Sequence, residues 1–296
     1  MTITIQNALL TVDIDTLGAQ LSSIRTPDGE EYLWQGDPEI WSRRAPILFP
    51  LIGRLKEGRY LLDGTSYEIP AHGFARDMEF SVIMQTGRSV SFCITDTPET
   101  RSVYPFSFSL TVTYTLDGTV LTKSHQIKNT DQRELLYELG AHDGFRTPVA
   151  KGSSMAGWSI RLPGLDQASL YGMDHDFMIT PQGAPVSLNP NGLPLVPSVF
   201  GLDTMILDAP PMHQAVLCDH TGQARVTLSF PGFPYLGIWT QDKPFDTGFV
   251  CIEPWSSLPD CTFVGRELAD KAGIRRLAPG QSEVLTYTTT IHTKER

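Results

Sequence analysis

Long apolar runs, paired cysteines and an excess of positive charge are all missing from this sequence. Its 296 residues hold no stretch near the ~18 uninterrupted apolar residues of a membrane-spanning helix, so no span is expected. The first residues show neither the basic n-region nor the apolar h-region of a signal peptide, and a cytoplasmic location is the expectation. The four cysteines, Cys93, Cys218, Cys251 and Cys261, form no CxxC pair and follow no metal-ligand spacing. Reduced thiols in or near the core fit better than a disulfide framework, a zinc site or redox chemistry. With 23 Lys and Arg against 33 Asp and Glu, the formal net charge is -10. Nucleic acid is thereby disfavoured as a partner, because a phosphate backbone is held by clustered cations. No internal repeat is present, which weakens the case for a propeller, and no low-complexity tail, so the whole chain is expected to fold.

What is present is a 41% hydrophobic, 19% charged chain able to close a sizeable core. Short alternating runs punctuated by Gly, Pro, Asn and Asp predict strands at 2–5, 9–14, 79–84, 90–94, 106–115, 120–127, 226–230, 235–239 and 284–291. The segment Leu116-Asp-Gly-Thr119 predicts a hairpin, since an Asp-Gly turn takes φ > 0 at both positions. Leu277-Ala-Pro-Gly-Gln281 separates the last two strands similarly, and only 266–273 has the composition of a short helix, ending at Gly273. Residues 151–211 are rich in Pro, Gly and Asp and read as long loops and short strands. One large domain or two smaller ones fit this length. The expectation is a single all-β domain over 1–296, a large antiparallel sandwich.

A few polar groups stand where apolar ones are expected. Phe249-Val-Cys-Ile-Glu253-Pro-Trp255-Ser-Ser-Leu-Pro259-Asp260 places one carboxylate after four apolar residues and directly ahead of a proline. Glu253 thus emerges where a buried strand ends and water is scarce. There a carboxylate either pairs with a cation as part of the scaffold or serves as a base with a tuned pKa. Pro46-Ile-Leu-Phe-Pro-Leu-Ile-Gly-Arg54 ends an apolar run on an arginine and follows Arg43 and Arg44. Ala71-His72-Gly-Phe-Ala-Arg76 sets a histidine beside a glycine, where backbone and ligand can come close. Glu138-Leu-Gly-Ala-His142-Asp-Gly-Phe145 puts a second histidine between glycines after an apolar strand. Each histidine alone reads as well as a hydrogen-bonded scaffold group. Together, a glutamate, two histidines and an arginine on kinked strand ends make a pocket able to exchange protons with a hydroxylated ligand.

In order along the chain stand Leu17-Gly-Ala-Gln-Leu-Ser-Ser-Ile24, Glu31-Tyr-Leu-Trp-Gln-Gly-Asp37, Trp41, Phe49-Pro-Leu-Ile-Gly-Arg54, His72-Gly-Phe-Ala-Arg76, Gly140-Ala-His142, Glu253-Pro-Trp255 and Pro259-Asp260. This ordered set resembles the aldose 1-epimerases, or mutarotases, over nearly the whole chain; it is closest to a bacterial branch whose individual substrates are often unassigned, and the hexose-6-phosphate mutarotases carry a segment similar to His72-Gly-Phe-Ala-Arg76. The resemblance implies a β-sandwich of the galactose mutarotase type with no obligatory metal or organic cofactor. The partner it implies is a small sugar or sugar phosphate, and the chain would be a monomer or homodimer. It also implies Glu253 as the base at the C1 hydroxyl and His142 as the acid at the ring oxygen, bound to substrate in its protonated form. His72, Arg54 and Arg76 would hold the sugar. The family's substrate-binding aspartate falls at Asp203, in Phe200-Gly-Leu-Asp-Thr-Met-Ile-Leu207. Asp174, in Met173-Asp-His-Asp-Phe177, matches the family's Asp-His pair but precedes the family-like stretch Ile179-Thr-Pro-Gln-Gly183. Asp174 and Asp176 would share one strand face, an incomplete metal site better read as a solvated loop.

The chemistry fits those residue types, because opening a cyclic hemiacetal removes a proton at one oxygen while adding one at another. Asp143 and Arg146 stand where neutral or small residues are expected, which would alter the substrate preferred. Arg43, Arg44 and Arg76 either bind a phosphate or pair with acidic neighbours. Three rivals therefore stand beside a free-aldohexose mutarotase: a hexose-6-phosphate 1-epimerase, a non-catalytic carbohydrate-binding sandwich, and a glycoside hydrolase pairing Glu253 with Asp203.

Overall fold

The computed structural model describes residues 1–147, 155–188, 192–196, 200, 204–241 and 247–293. Their regular structure is nearly all strand. The one α-helix among the described residues is Pro98–Val103, whose N-cap Thr97 accepts a hydrogen bond from the Thr100 amide. No helix among them is long and apolar enough to cross a membrane.

Two large sheets carry the fold. The nine-stranded sheet runs, in spatial order, Leu193–Pro194, Ser159–Arg161, Gln214–Cys218, Ala224–Ser229, Ser282–Ile291, Val120–Asn129, Phe108–Asp117, Ser89–Thr95 and Ser81–Gln85. The eight-stranded sheet runs Ile179–Gln182, Leu170–Met173, Met205–Asp208, Tyr235–Trp239, Phe249–Trp255, Gly140–Ala141 and Ile47–Leu48, with Asp143–Arg146 also paired to Phe249–Trp255. Side-chain alternation places Phe108, Leu110, Val112, Tyr114 and Leu116 in the interior while the residues between them face outward. One apolar cluster extends from Ile3 to Ile291 and draws on both sheets. All four cysteines are free, and three of them are buried.

Strands form close to every predicted run, and two local expectations are corrected. In the hairpin, Val120 faces Asp117, so the loop is Gly118-Thr119, and only Gly118 (φ +56°) has positive φ. That is a glycine-first turn rather than one through Asp-Gly. The stretch 266–273 forms only a short 3-10 turn at Leu268–Asp270 before Gly273 (φ +81°). The turn does not lengthen into a helix because Lys271 leaves helical backbone (φ -57°, ψ 138°) and directs its side chain inward to two carboxylates, described below.

The nine-stranded sheet also explains Asp143. Its carboxylate is fully buried on the face opposite the cleft, accepts a hydrogen bond from the Tyr287 hydroxyl at 2.6 Å, and lies 3.6 Å from the buried Lys123 ammonium. Asp143 is therefore a partner for a core cation and not a substrate contact, and Arg146 likewise lies outside the cleft lining. Removing one member of a buried ion pair strands the other, which typically costs ~3–5 kcal/mol, whereas replacing both with apolar groups is near neutral. Asp143→Ala is expected to lower stability by about that amount, and Lys123→Met with Asp143→Leu to recover most of it. Equal urea midpoints for wild type and Asp143→Ala would show that the pair has no such role.

Candidate active site

The strand Phe249–Trp255 organises the site. Asp143 pairs with Ile252 and Gly140 with Trp255, so the same register sets His142 directly opposite Glu253. Directly opposed residues on one sheet face bring their side chains together. His142 Nε2 accordingly lies 3.3 Å from Glu253 Oε1. On the other side Glu253 pairs with Gly237, whose missing side chain matters because a Cβ there would stand 2.8 Å from the Trp255 indole. Pro254 contributes no amide to the ladder, and the hydrogen-bonded strand opposite it is interrupted between Ala141 and Asp143. Odd-numbered residues of the strand face the cleft side, while Val250 and Ile252 enter the main core.

Above this pair is a cleft of about 280 Å³, near the small end of the ~300–1,000 Å³ usual for ligand sites. Aromatic rings enclose His142: Trp41 is 5.0 Å and Trp239 5.6 Å away between ring centroids, and Trp41 stacks on Phe249. Burial holds the His142 imidazole down at about 3, with Arg76 and Arg43 adding to the effect, so it is neutral near pH 7. In the ligand-free protein desolvation thus outweighs the attraction a charged imidazole would gain here, so the protonated form expected with bound substrate is not the resting one.

His72 sits at the cleft wall, its ring 5.6 Å from that of His142. Its backbone has φ +66°, a left-handed conformation that a side chain adopts at a cost and that clusters at functional sites. The adjacent Gly73 is required, since a Cβ there would lie 2.2 Å from the Phe49 carbonyl oxygen. The Gly53 amide donates to His72 Nδ1 at 3.1 Å, which leaves Nε2 as the protonated nitrogen of the neutral ring. Burial first, then the nearby His142 and arginines, holds His72 well below the usual histidine range.

A buried charge cluster under the cleft joins its walls. Glu138 accepts from the Ile52 amide at 2.7 Å and from the Ser257 hydroxyl at 2.9 Å. Lys271 lies 3.4 Å from Glu138 and 2.5 Å from Asp260, and Asp260 accepts from the Lys56 amide. Burial disfavours the Lys271 charge, yet Glu138 and Asp260 outweigh it and hold the amine protonated. Glu138 and Asp260, quoted in the sequence only as parts of motifs, are thus the braces of the site, and Lys271 gave no sequence signal at all.

Three guanidinium groups line the cleft: Arg43, Arg54 and Arg76. Arg43 is 2.8 Å from Asp77, and Arg76 donates to the Ala71 carbonyl at 2.7 Å while lying 3.7 Å from Asp77. Arg54 Cζ lies over the Phe177 ring, 3.9 Å from its centroid. Arg44 is not part of the lining; its side chain packs against Gly36. Among the described lining residues Glu253 is the one carboxylate. Asp203 lies outside the described residues, although its neighbour Thr204 lines the cleft. Asp174 does not line it: its carboxylate accepts from the amides of Asp176 and Met178, closing a turn rather than lying on a strand with Asp176. That turn presents Phe177 at φ +63°, a cleft residue the sequence did not flag. Trp239 and Gln241 were missed in the same way, since neither carries a motif.

A large antiparallel sandwich whose cleft sets a glutamate against a histidine on the strand opposite, among aromatic rings and arginines, defines a small-ligand-binding class of fold. Residues 1–267 match the profile of the aldose 1-epimerase family, and the chain belongs to that family. It is 32% identical to the chromosomal protein LacX of Lactococcus lactis subsp. lactis over 302 aligned positions, 98% of this chain and 99% of that one. A galactose mutarotase-like protein from Lactobacillus casei is similar in structure, with TM-score 0.90, 29% identity, and coverage of 99% of this chain and 100% of that one. A galactose mutarotase related enzyme from Lactobacillus acidophilus has TM-score 0.88 at 29% identity, covering 99% and 98%.

The depressed histidines make stability depend on pH. His125, buried between strands, is also pushed down to about 3 by desolvation. An unfolded histidine titrates near ~6.5, so below that pH the unfolded chain binds protons that folded His72, His125 and His142 refuse. Their contribution is fully present above pH ~6.5 and is lost as pH falls toward the folded values, by up to ~1.4 kcal/mol per pH unit for each ring. Imidazole NMR signals of the three rings are expected to stay fixed from pH 8 to 5 while urea midpoints fall. Ring titration near pH 6.5 in the folded protein contradicts this assignment.

Proposed function

We propose that the protein interconverts the α and β anomers of an aldohexose, with Glu253 as base and His142 as acid. The observation that carries this reading is the directly opposed Glu253 and His142 pair, 3.3 Å apart on the floor of a cleft sized for one small ligand. Glu253 takes the proton from the C1 hydroxyl as the bond between C1 and the ring oxygen breaks, and His142 gives a proton to that oxygen. Rotation about C1-C2 presents the other aldehyde face, and closure with the roles reversed yields the second anomer. Because burial holds His142 neutral, the proton it delivers must be taken up from solvent as the sugar docks beside Glu253, and it is returned when the ring closes with the roles reversed. Nε2 of His72 donates to a sugar oxygen, and Arg54 and Arg76 hold hydroxyls at the mouth. Asp203 is proposed as a further sugar contact. The whole chain, 1–296, is read as one functional domain, supported by a core cluster that extends from Ile3 to Ile291.

Positioned acid-base groups contribute ~10²–10⁴ in rate each, and mutarotation already proceeds in water, so this pair suffices as the chemical machinery. Glu253→Gln is expected to abolish anomer conversion with the fold intact, because the amide keeps the shape and cannot accept the C1 proton. His142→Asn is expected to lower kcat by at least ~10². His72→Asn is expected to raise KM as well. Polarimetry of freshly dissolved α-glucose and α-galactose reads these outcomes; near wild-type rates in the Gln variant would sink the assignment of the base.

The three cleft arginines favour one second reading, a hexose 6-phosphate as substrate. Arg43 and Arg76 share the single acid Asp77, which leaves net positive charge at the mouth. A held phosphate gains ~1.5–3 kcal/mol per charge-assisted contact, so glucose 6-phosphate would exceed glucose in kcat/KM by about tenfold or more at low salt. That advantage would shrink as salt screens the mouth. Equal kcat/KM for the two sugars at both ionic strengths retains the free sugar and removes the phosphate reading.

A further inference from the structure

Cys251 is the one polar side chain of the cleft-facing row that neither proton transfer nor sugar binding uses. It is fully buried, two residues before Glu253 on the same strand face, and pairs in register with Gly144. Gly144 has no side chain to fill the space beside it, where a Cβ would lie 2.9 Å from Trp41. His142 therefore stands opposite Glu253 and diagonal to Cys251. One donor atom from each of His142, Cys251 and Glu253 falls within 4.8 Å of the other two.

We propose that His142, Cys251 and Glu253 form a binding site for a zinc-type divalent metal, and that a metal bound there excludes the sugar. The spacing fits. A tetrahedral ion with bonds of ~2.0 Å to nitrogen and oxygen holds those donors ~3.3 Å apart, and His142 Nε2 and Glu253 Oε1 are separated by 3.3 Å. A thiolate at ~2.3 Å belongs ~3.5 Å from each, so the sulfur needs to close by little more than ~1 Å, within reach of a side-chain rotation. Three protein donors with a fourth position open to the cleft is a common zinc arrangement.

The electrostatics point the same way. Neutral imidazole is the form that binds metal, and burial already holds His142 neutral. Burial and the neighbouring Glu253 carboxylate keep the Cys251 thiol protonated, and a divalent cation reverses both effects. On binding, the S–H proton leaves to solvent as the metal–sulfur bond forms. A nitrogen, oxygen and sulfur set selects zinc or cobalt over the hard ions magnesium and calcium. The ion would occupy the space between acid and base that the anomeric centre needs, so metal and sugar would compete. The competition rests on the mutarotase reading; the metal site does not.

The test uses chelator-treated full-length protein in a Cys93→Ser background, which removes the half-exposed thiol. Cobalt(II) titration is expected to produce one equivalent of thiolate-to-cobalt charge-transfer absorption, discharged by zinc. Both Cys251→Ser and Cys251→Ala are expected to lose that band. In the Cys251→Ala protein anomer conversion is expected to persist, with zinc inhibition weakened by at least about tenfold. Absence of the thiolate band in the parent, or equal zinc inhibition with and without Cys251, overturns the proposal. Should the protein convert no anomer, the cobalt spectrum still decides the metal site.

Discussion

The site depends on one buried ammonium. Lys271 reaches inward to Glu138 and Asp260, and through their remaining lone pairs those carboxylates fasten the Ile52 amide, the Ser257 hydroxyl and the Lys56 amide. Four chain segments distant in sequence are thereby held at one point beneath the cleft. Without the ammonium, two carboxylates would face each other in the interior, and one would have to take a proton. The approach to His142 and the segment following Glu253 are each tied to this cluster, for Glu138 lies four residues before His142, and Asp260 seven after Glu253. The placing of Glu253 against His142 is therefore braced by charges that lie outside the cleft lining.

Much of the frame was legible in the sequence because β-structure leaves a period-two imprint. Strands such as Phe108–Asp117 and Ser282–Ile291 alternate cleanly, since one face is buried and the other is not. Glu253 and His142 stood out by the same logic, as polar groups at the ends of apolar runs, and His72 by its place beside a glycine. Lys271 did not, because a lysine near a turn is ordinarily solvated and its inward course depends on two carboxylates far away in the fold's assembly. Phe177, Trp239 and Gln241 were equally hidden: an aromatic or amide near a strand end has no local mark that separates cleft from core. Asp143 misled in the opposite direction. Its neighbour His142 faces the cleft, so strand alternation sends Asp143 to Lys123 and Tyr287 on the far face.

The protein as a whole is acidic, yet its cleft gathers Arg43, Arg54 and Arg76 around two half-buried histidines. Arg76 and Arg43 help keep both imidazoles uncharged, and Arg54 adds to the effect at His72. Phe177 beneath Arg54 supplies a π face that orients one of them without neutralising it. The arginines' charge and the histidines' neutrality are thus two aspects of a single local field.

Every residue of Phe249–Trp255 is buried, with alternate side chains committed to the core and to the cleft. Such a strand has no spare positions at which neutral drift can accumulate. Change there alters either the packing of the sandwich or its chemistry, and a one-residue slip would exchange the two sets. Diversification of what the cleft accepts must consequently run through Arg43, Phe177, Thr204 and Gln241, which sit on turns and strand ends, leaving the strand beneath them held by geometry while the clientele of the cleft is renegotiated at the margin.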